Sequence, residues 1–207
     1  MITLLSTNLI NKFLMFPTFS LTLPNWINDF LANRDMRFET PEARMRVAIE
    51  LARRNVMYGT GGPFGAAIFE IETGRLVAPG VNLVVPSQSA IAHAETVAIT
   101  MAGQVLGSFD LGGKGMPACE LVTSTEPCAM CFGAVPWSGV RRLVCGARDA
   151  DARAVGFDEG PKLENWKAAL EERGIEVVRD MLREEAADVL RAYKSRGGLI
   201  YNGRLAS

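Results

Sequence analysis

One histidine, one glutamate and two cysteines have the types and spacing of a catalytic metal site. His93 is the single histidine of the chain, Glu95 follows two positions later, and Cys128 and Cys131 stand in the segment Pro-Cys-Ala-Met-Cys. An imidazole nitrogen and two thiolates suit zinc, which usually binds four groups in a tetrahedron. Three protein ligands leave the fourth position to water or hydroxide, and an open position distinguishes a catalytic zinc from a structural one. The sequence therefore predicts one Zn²⁺ per chain, held by His93, Cys128 and Cys131.

Glu95 is predicted to move protons during the reaction. Zinc lowers the pKa of a bound water to about 7, so hydroxide is available at neutral pH. A nearby carboxylate takes the proton of that water, delivers it to a ring nitrogen as hydroxide attacks the amidine carbon, and then protonates the departing amine. Residues two apart on a helix point in different directions, which disfavours Glu95 as a ligand beside His93. The alternative is a structural zinc knuckle, with Glu95 or a distant residue as fourth ligand.

Two helix starts are predicted to bring these residues together. Pro127 is a proline at a helix start, and it places Cys128 and Cys131 one turn apart on the same helix face. A second helix, over residues 93–106, carries apolar side chains at helical spacing. If His93 opens that helix, two positively polarised helix ends converge on the metal and favour the thiolate form of the cysteines.

The rest of the chain is predicted to alternate strands with helices after an initial hairpin. Thr40, Pro41 and Glu42 mark the start of a helix that ends near Met57. The further elements are a hairpin over 64–69 and 75–85, strands over 119–123, 141–146 and 175–178, and helices over 164–173 and 183–193. Residues 86–92 are predicted to form a loop and residues 149–161 an irregular stretch. This order indicates an α/β fold with a mixed sheet covered on both faces.

Length and charge favour one domain that does not bind polyanions. A chain of 207 residues, 48% of them hydrophobic, can bury one sizeable core. Residues 41–196 are therefore predicted to be one domain, with residues 1–40 as an N-terminal extension of unknown order and 197–207 as a C-terminal tail. The net charge is −1, which argues against nucleic acid and membrane surfaces as partners because both select a basic face. Polar residues and prolines interrupt residues 4–23, which disfavours a membrane span or secretory signal.

The cysteines indicate a reducing compartment. The chain has four cysteines, two of them in the Cys-x-x-Cys segment, and a chain of this length does not need a disulfide framework. Cys119 and Cys145 lie in apolar runs and are predicted to be small core residues. The expected localisation is therefore cytoplasmic.

Three motifs resemble the cytidine and deoxycytidylate deaminase superfamily. They are Gly-Gly-Pro-Phe-Gly-Ala-Ala at 61–67, Ala-His-Ala-Glu at 92–95, and Ser-Thr-Glu-Pro-Cys-Ala-Met-Cys-Phe-Gly-Ala at 124–134. The pattern H-x-E followed by P-C-x-x-C is the known signature of zinc-dependent nucleobase deaminases. The segment Gly-Phe-Asp-Glu-Gly-Pro at 156–161 resembles the bacterial guanine deaminases within this superfamily. The resemblance implies a three-layer α/β/α sandwich with a five-stranded mixed sheet, and a homodimer whose C-terminal segments are able to cross between protomers.

The same resemblance implies further site residues. Glu159 is expected to be catalytic and to accept hydrogens from N1 and the exocyclic amine of guanine, while Asn82 is expected to bind a ring acceptor through its amide. Phe64 and Phe157 are candidate stacking partners for a flat purine, and Ala94 a further substrate contact. From pattern alone, Phe64 is equally a core residue, and Asn82 and Glu159 are more often turn or solvent residues than site residues.

The expected function is hydrolytic deamination of guanine to xanthine and ammonia, with a small nucleobase as substrate. The first alternative is a deaminase of guanosine, cytosine or an amino-triazine such as ammeline. The second is a tRNA-adenosine deaminase, which the balanced charge disfavours. The third is a zinc module without catalytic activity, which the open ligand position disfavours.

Overall fold

The computed structural model describes residues 19–32 and 37–203, with a five-stranded sheet at the centre. The strands are β1 (Gly65–Glu70), β2 (Leu76–Val81), β3 (Cys119–Thr125), β4 (Arg142–Ala147) and β5 (Glu176–Val178). Their order across the sheet is β2–β1–β3–β4–β5. β1 runs antiparallel to β2 and β3, whereas β3, β4 and β5 are parallel. The predicted mixed sheet is confirmed, and β3 lies at its centre.

Helices cover both faces of this sheet. They are α1 (Trp26–Phe30), α2 (Pro41–Met57), α3 (Val84–Ser87), α4 (Ala94–Leu106), α5 (Ala129–Ser138), α6 (Asp149–Val155), α7 (Trp166–Glu171) and α8 (Arg183–Ser195). One apolar cluster joins α2, α6 and α8 to one face of the sheet. A second cluster joins α4, α5 and α7 to the other face. The predicted three-layer α/β/α sandwich is therefore confirmed.

The start of α2 follows from its sequence. The hydroxyl of Thr40 accepts a hydrogen bond from the backbone N–H of Ala43 at 3.1 Å, and Pro41 occupies the first turn, where a missing N–H costs nothing. The helix buries Met45, Ala48 and other apolar residues at helical spacing. Burial of one such large apolar side chain contributes about 1.5–3 kcal/mol. This packing holds α2 against β1 and β3 of the sheet.

A buried ion pair ties α2 to the middle of the sheet. Nη1 of Arg44 is 2.5 Å from Oε1 of Glu120 on β3, and the two side chains are 5% and 1% exposed. Arg142 of β4 contacts the other carboxylate oxygen of Glu120 at 3.2 Å. A buried carboxylate is stable only when it is paired, so this cluster links three neighbouring elements.

The prediction for residues 149–161 is wrong in its first half, because α6 occupies Asp149–Val155. The carboxylate of Asp151 accepts a hydrogen bond from the backbone N–H of Arg148 at 2.8 Å, which caps the helix start. Asp149 and Asp151 also place negative charge beside the positive end of the helix dipole. These acids stabilise the helix start, and Ala152 and Val155 bury the helix in the apolar cluster.

The end of the predicted hairpin also differs from the structure. The strand expected over 75–85 ends at Val81, and the short helix α3 begins at Val84 and extends into the segment predicted as the loop 86–92. Pro136 lies inside α5, which continues to Ser138 and ends at Gly139 in a left-handed conformation.

The described part of the N-terminal extension packs against the domain. Ile27 of α1 is 2% exposed, and the guanidinium of Arg54 lies 4.6 Å from the ring centre of Phe30. Residues 1–18, 33–36 and 204–207 lie outside the described residues, so the order expected for those parts of the extension and the tail stays a prediction. Within residues 19–32 and 37–203, every helix is too short or too polar to cross a membrane.

Candidate metal centre and substrate cavity

Two helix N-termini carry the three predicted metal ligands. His93 is the N-cap residue of α4, Cys128 is the N-cap residue of α5, and Cys131 follows in the first turn of α5. A ring nitrogen of His93 and the sulfur atoms of both cysteines lie within 4.8 Å of one another. The positive ends of both helix dipoles therefore point at the same small volume, which stabilises anionic ligands there.

This donor set fits zinc. Sγ of Cys128 lies 3.5 Å from Nδ1 of His93. A hydrogen bond from the thiol of Cys131 lowers the pKa of Cys128 to about 4, so that Cys128 is a thiolate at neutral pH. Thiolate sulfur and neutral imidazole nitrogen are ligands that zinc prefers, and three of them match the composition of open, catalytic zinc sites.

Glu95 lies beside these ligands and faces the adjoining cavity. Its side chain is 7% exposed, and Oε2 is 3.4 Å from Sγ of Cys131. Burial, followed by the negative charge of Cys128, raises the pKa of the Glu95 carboxyl to about 7. A carboxyl with a pKa near the working pH both accepts and releases protons readily, as a general acid–base requires.

A cavity of about 650 Å³ opens in front of Glu95. Cavities that bind small molecules usually fall between about 300 and 1,000 Å³. The predicted site residues that line it are Phe64, Asn82, His93, Glu95, Cys128, Phe157 and Glu159. The structure thus gathers residues from five separate segments of the chain around one space next to the metal ligands.

The side chain of Ala94 does not reach this cavity. Ala94 is fully buried in the apolar cluster between α4 and the sheet. Its carbonyl lies close to Gly80 of β2, where an added Cβ would be 2.2 Å from the oxygen. The first residue of α4 therefore packs its methyl group against the sheet, and the substrate contact expected for Ala94 stays a prediction.

Two phenylalanines form one apolar wall. The rings of Phe64 and Phe157 meet edge to face, with centroids 4.9 Å apart and an interplanar angle of 71°. Phe157 also contacts Tyr201 edge to face at 5.2 Å. The alternative of a core residue is partly right for Phe64, which packs against both apolar clusters and also lines the cavity.

Asn82 is held in a defined orientation at the end of β2. The residue is 1% exposed, and its side-chain oxygen accepts a hydrogen bond from the backbone N–H of Val84 at 3.2 Å. Its backbone N–H donates to the carbonyl of Phe64 at 3.1 Å. With Oδ1 engaged in this local turn, the NH₂ group is the donor of this side chain, and it lies beside the phenol of Tyr201.

Glu159 lies in the loop after α6 and is 5% exposed. Burial, followed by the negative charges of Cys128 and Glu95, raises the pKa of the Glu159 carboxyl to about 8. Hydrogen-bond donors that face such a group favour its ionised form. With this pKa the carboxyl is largely protonated at neutral pH in the free site, and a ligand that presents two N–H groups to Glu159 would shift it towards the carboxylate.

The described part of the C-terminal tail lies over the same cavity. Tyr201, Asn202 and Gly203 line it, in this single chain, beside Phe157 and Glu159. The side chain of Asn202 accepts from the N–H of Asp158 at 2.9 Å and donates to the carbonyl of Gly156 at 3.0 Å. Sequence reasoning missed Asn202, because an isolated asparagine near a chain end carries no pattern.

A buried charge cluster beneath Cys128 was also missed. Glu126 is 3% exposed, accepts from the guanidinium of Arg179 at 2.6 Å, and accepts from the backbone N–H of Asp149 at 3.1 Å. The ammonium of Lys162 donates to the carbonyl of Pro127 at 2.9 Å and lies 3.0 Å from a carboxylate oxygen of Asp149. The members of this cluster are distant in sequence, so no local pattern predicts it. The one sequence signal was Glu126, directly before Pro127 and Cys128.

Comparisons with known proteins agree with this geometry. Residues 38–147 match the family described as the cytidine and deoxycytidylate deaminase zinc-binding region. A guanine deaminase from Bacillus subtilis (strain 168) is 38% identical over 143 residues, which cover 69% of this chain and 87% of that protein. A tRNA-specific adenosine deaminase from the same strain is 33% identical over 152 residues, covering 73% of this chain and 87% of that protein.

A solved structure is similar over most of the chain. The structure of a guanine deaminase from Nitrosomonas europaea has a TM-score of 0.81 and 48% sequence identity to this protein. The similarity covers 87% of this chain and 98% of that chain. It therefore extends well beyond the zinc-binding region to both flanking segments.

Proposed function

The chain belongs to the cytidine and deoxycytidylate deaminase family, and we propose that it hydrolyses guanine to xanthine and ammonia. The proposal makes it a zinc-dependent hydrolase that acts on the C–N bond of a cyclic amidine. The guanine deaminases of B. subtilis and N. europaea, at 38% and 48% identity, support guanine as the substrate.

One observation carries the choice of substrate. Glu159 and Asn82, both nearly buried, line the same cavity as Glu95 and His93. Guanine presents N1–H and its exocyclic amine on one edge, so a carboxylate at Glu159 pairs with two donors at once. The amide NH₂ of Asn82 then serves a ring acceptor, and Phe64 and Phe157 form the apolar wall against the purine.

In this proposal, His93, Cys128 and Cys131 would hold one zinc ion, which would supply hydroxide at neutral pH. Glu95 accepts the first proton of the attacking water and delivers it to the ring nitrogen beside the attacked carbon. Glu95 then takes the second proton, from the newly added hydroxyl group, and gives it to the exocyclic nitrogen as the carbon–nitrogen bond breaks. One water is consumed, xanthine keeps its oxygen as a carbonyl, and ammonia leaves.

The position of the tail supports hydrolysis of a small base. Tyr201 and Asn202 line the cavity on the side of Phe157, and in this proposal they limit its access to bulk water. Removal of bulk water strengthens the hydrogen bonds that select the base. The same closure leaves less access for a base within a folded tRNA, and the net charge of −1 lacks the basic excess that a tRNA surface favours.

Three further properties belong to the proposal. The protein forms a homodimer, its C-terminal tails are able to exchange between protomers to close the cavities, and it acts in purine catabolism in the cytoplasm. The free, unbridged state of all four cysteines supports a reducing compartment. The position of Tyr201 over the cavity of its own chain supports a closing role for the tail.

A substrate panel tests the function. Zinc-loaded protein is assayed for ammonia release from guanine, guanosine, adenine, cytosine, cytidine and ammeline, with xanthine measured in parallel. We expect guanine to have the highest kcat/KM by at least about tenfold. Unpaired buried groups penalise adenine and cytosine, which lack its edge, and guanosine has in addition to place a ribose beside the tail. A higher kcat/KM for guanosine, ammeline or cytosine would assign the site to that rival substrate.

A further inference from the structure

Asn55, in the last turn of α2, is a fully buried polar residue outside the cavity. Its side-chain NH₂ donates to the carbonyl of Gly62 and to the carbonyl of Asn82, both at 2.9 Å. Its side-chain oxygen accepts from the hydroxyl of Thr60 at 2.7 Å. Both donors and the acceptor are satisfied, so the orientation of the amide is determined. A flipped amide would direct its oxygen at two carbonyl oxygens.

One carbonyl that Asn55 holds belongs to a residue that lines the cavity, and the other belongs to the glycine loop next to Tyr201. Asn82 lines the cavity. Gly62 lies directly under Tyr201, since an added Cβ there would be 2.0 Å from the phenol oxygen. At Gly61 an added Cβ would be 1.9 Å from the carbonyl oxygen of Asn82 and 2.6 Å from Nδ2 of Asn55. Asn55 thus joins the Asn82 backbone to the glycine loop, Gly61 and Gly62, by hydrogen bonds. The close packing at Gly61 leaves no room for the two segments to move apart or together.

The hydrogen-bond chain continues outward to the N-terminal segment. Nε1 of Trp26 donates to Thr60 Oγ1 at 3.0 Å, and the Trp26 ring stacks on Tyr58 at 5.6 Å with an interplanar angle of 20°. Indole nitrogen only donates, so the single hydroxyl proton of Thr60 is left to bond Asn55. All donors therefore point inward, from Trp26 through Thr60 and Asn55 to Asn82, and hydrogen bonds aligned in this way reinforce one another.

We propose that Asn55 is a positioning residue for Asn82, and that Trp26 extends this support to a segment outside the matched deaminase region, residues 38–147. The proposal rests on the proposed function, because it assigns base binding to Asn82. Loss of the Asn55 donors removes the bond to the Asn82 carbonyl, whereas the Gly62 carbonyl keeps the N–H of Phe64 at 2.9 Å. The backbone that carries the Asn82 amide then shifts. A shift near 1 Å in a binding group reduces catalysis by up to about 100-fold.

A double-mutant cycle on the zinc-loaded full chain separates positioning from general stability. Glu95→Gln serves as the background, so that guanine is bound without turnover and its dissociation constant is measured by calorimetry. We expect Asn55→Asp to weaken guanine binding at least about tenfold with Asn82 present, but less than about twofold in the Asn82→Ala protein. Trp26→Phe, which keeps an aromatic ring and loses the donor, should show the same dependence on Asn82 with a smaller loss.

The outcomes are distinct. An equal loss of affinity in both backgrounds would overturn the positioning role, since Asn55 would then not act through Asn82; unchanged affinity would overturn it as well. Failure of the background protein to bind guanine would contradict the proposed function itself. Asn28→Asp, an exposed change on the same short helix as Trp26, should bind like the background. If Asn55→Asp does not fold, Trp26→Phe and Thr60→Val decide the question by the same comparison.

Discussion

The backbone N–H of Ala129 donates to the backbone carbonyl of Glu159 at 2.9 Å. Ala129 is the first residue of α5, directly after the predicted metal ligand Cys128. Lys162 makes a second connection from the same loop, to the carbonyl of Pro127 at 2.9 Å. The loop that carries the proposed base-reading carboxylate is therefore fastened to the helix start that carries the proposed zinc ligands.

Glu159→Gln should lower kcat/KM for guanine at least about tenfold while zinc stays bound. The amide has one acceptor oxygen in place of two, and one such hydrogen bond to a buried substrate is worth more than about 1.4 kcal/mol. The measurement is steady-state xanthine formation together with metal analysis. Glu164→Gln, exposed on the same segment, is the matched control and should keep its activity. Wild-type rates in Glu159→Gln would show that this loop does not read the base.

Lys162→Met should both destabilise the protein and slow the reaction. The Lys162 side chain is 7% exposed and contacts Asp149 at 3.0 Å, and its loss leaves buried acceptors unpaired, at a cost of about 1–3 kcal/mol. The hydrogen bond from the N–H of Ala129 to the carbonyl of Glu159 remains and keeps the loop near its position. We therefore expect kcat/KM to fall about threefold or more, with activity still measurable. Thermal denaturation and guanine turnover measure the two effects. Lys167→Met changes a side chain that is 46% exposed and should alter neither the thermal stability nor kcat/KM. An equal effect of the two variants would contradict the role of Lys162 in holding the loop.

Gly62→Ala should open the tail side of the cavity. The added methyl group would lie 2.0 Å from the phenol oxygen of Tyr201, so Tyr201 has to leave its position. We expect kcat/KM for guanine to fall about fivefold or more, since the closing contact is lost. Deletion of residues 199–207 should reproduce the loss. Gly133→Ala, where no atom lies within 4 Å of the new Cβ, is the control. Unchanged turnover in both the substitution and the deletion would show that the tail is dispensable.

Arg44→Met should destabilise the fold without a specific effect on the site. The change leaves Glu120, 1% exposed, with Arg142 as its remaining partner, and breaking a buried ion pair costs about 3–5 kcal/mol. Denaturant unfolding of zinc-loaded protein measures the free energy of unfolding. Arg46→Met removes an exposed pair with Glu185 at 3.8 Å and should cost about 1 kcal/mol or less. Similar losses in the two variants would contradict a stabilising role for the buried pair.

The sequence predicted the parts of the site that are local. His93, Cys128 and Cys131 could be predicted as metal ligands because helix starts, proline placement and metal-ligand spacing are short-range features of the sequence. The mixed sheet followed from the order of apolar runs. The helix α6 was missed because it is short and its buried apolar residues, Ala152 and Val155, are too few to show helical spacing, while its start depends on Asp149 and Asp151.

The supporting contacts could not be predicted from the sequence. Asn55 and Asn82 are 27 positions apart, and Lys162 and Pro127 are 35 apart, so only the tertiary fold brings each pair together. Such partners carry no periodicity, and a buried polar residue is identified by its surroundings rather than by its neighbours in the chain. The positions of Asn82 and Glu159 were likewise reached through family resemblance, since both also suit turns.

The central claim is tested most directly by the products formed from guanine by zinc-loaded wild-type protein and by its Glu95→Gln variant. We predict one xanthine and one ammonia per guanine for the wild type. The variant should bind the same amount of zinc and turn over at least about 100-fold more slowly, because its amide cannot carry the proton. Absence of xanthine from the wild-type reaction, or full turnover by zinc-loaded Glu95→Gln, would contradict the account.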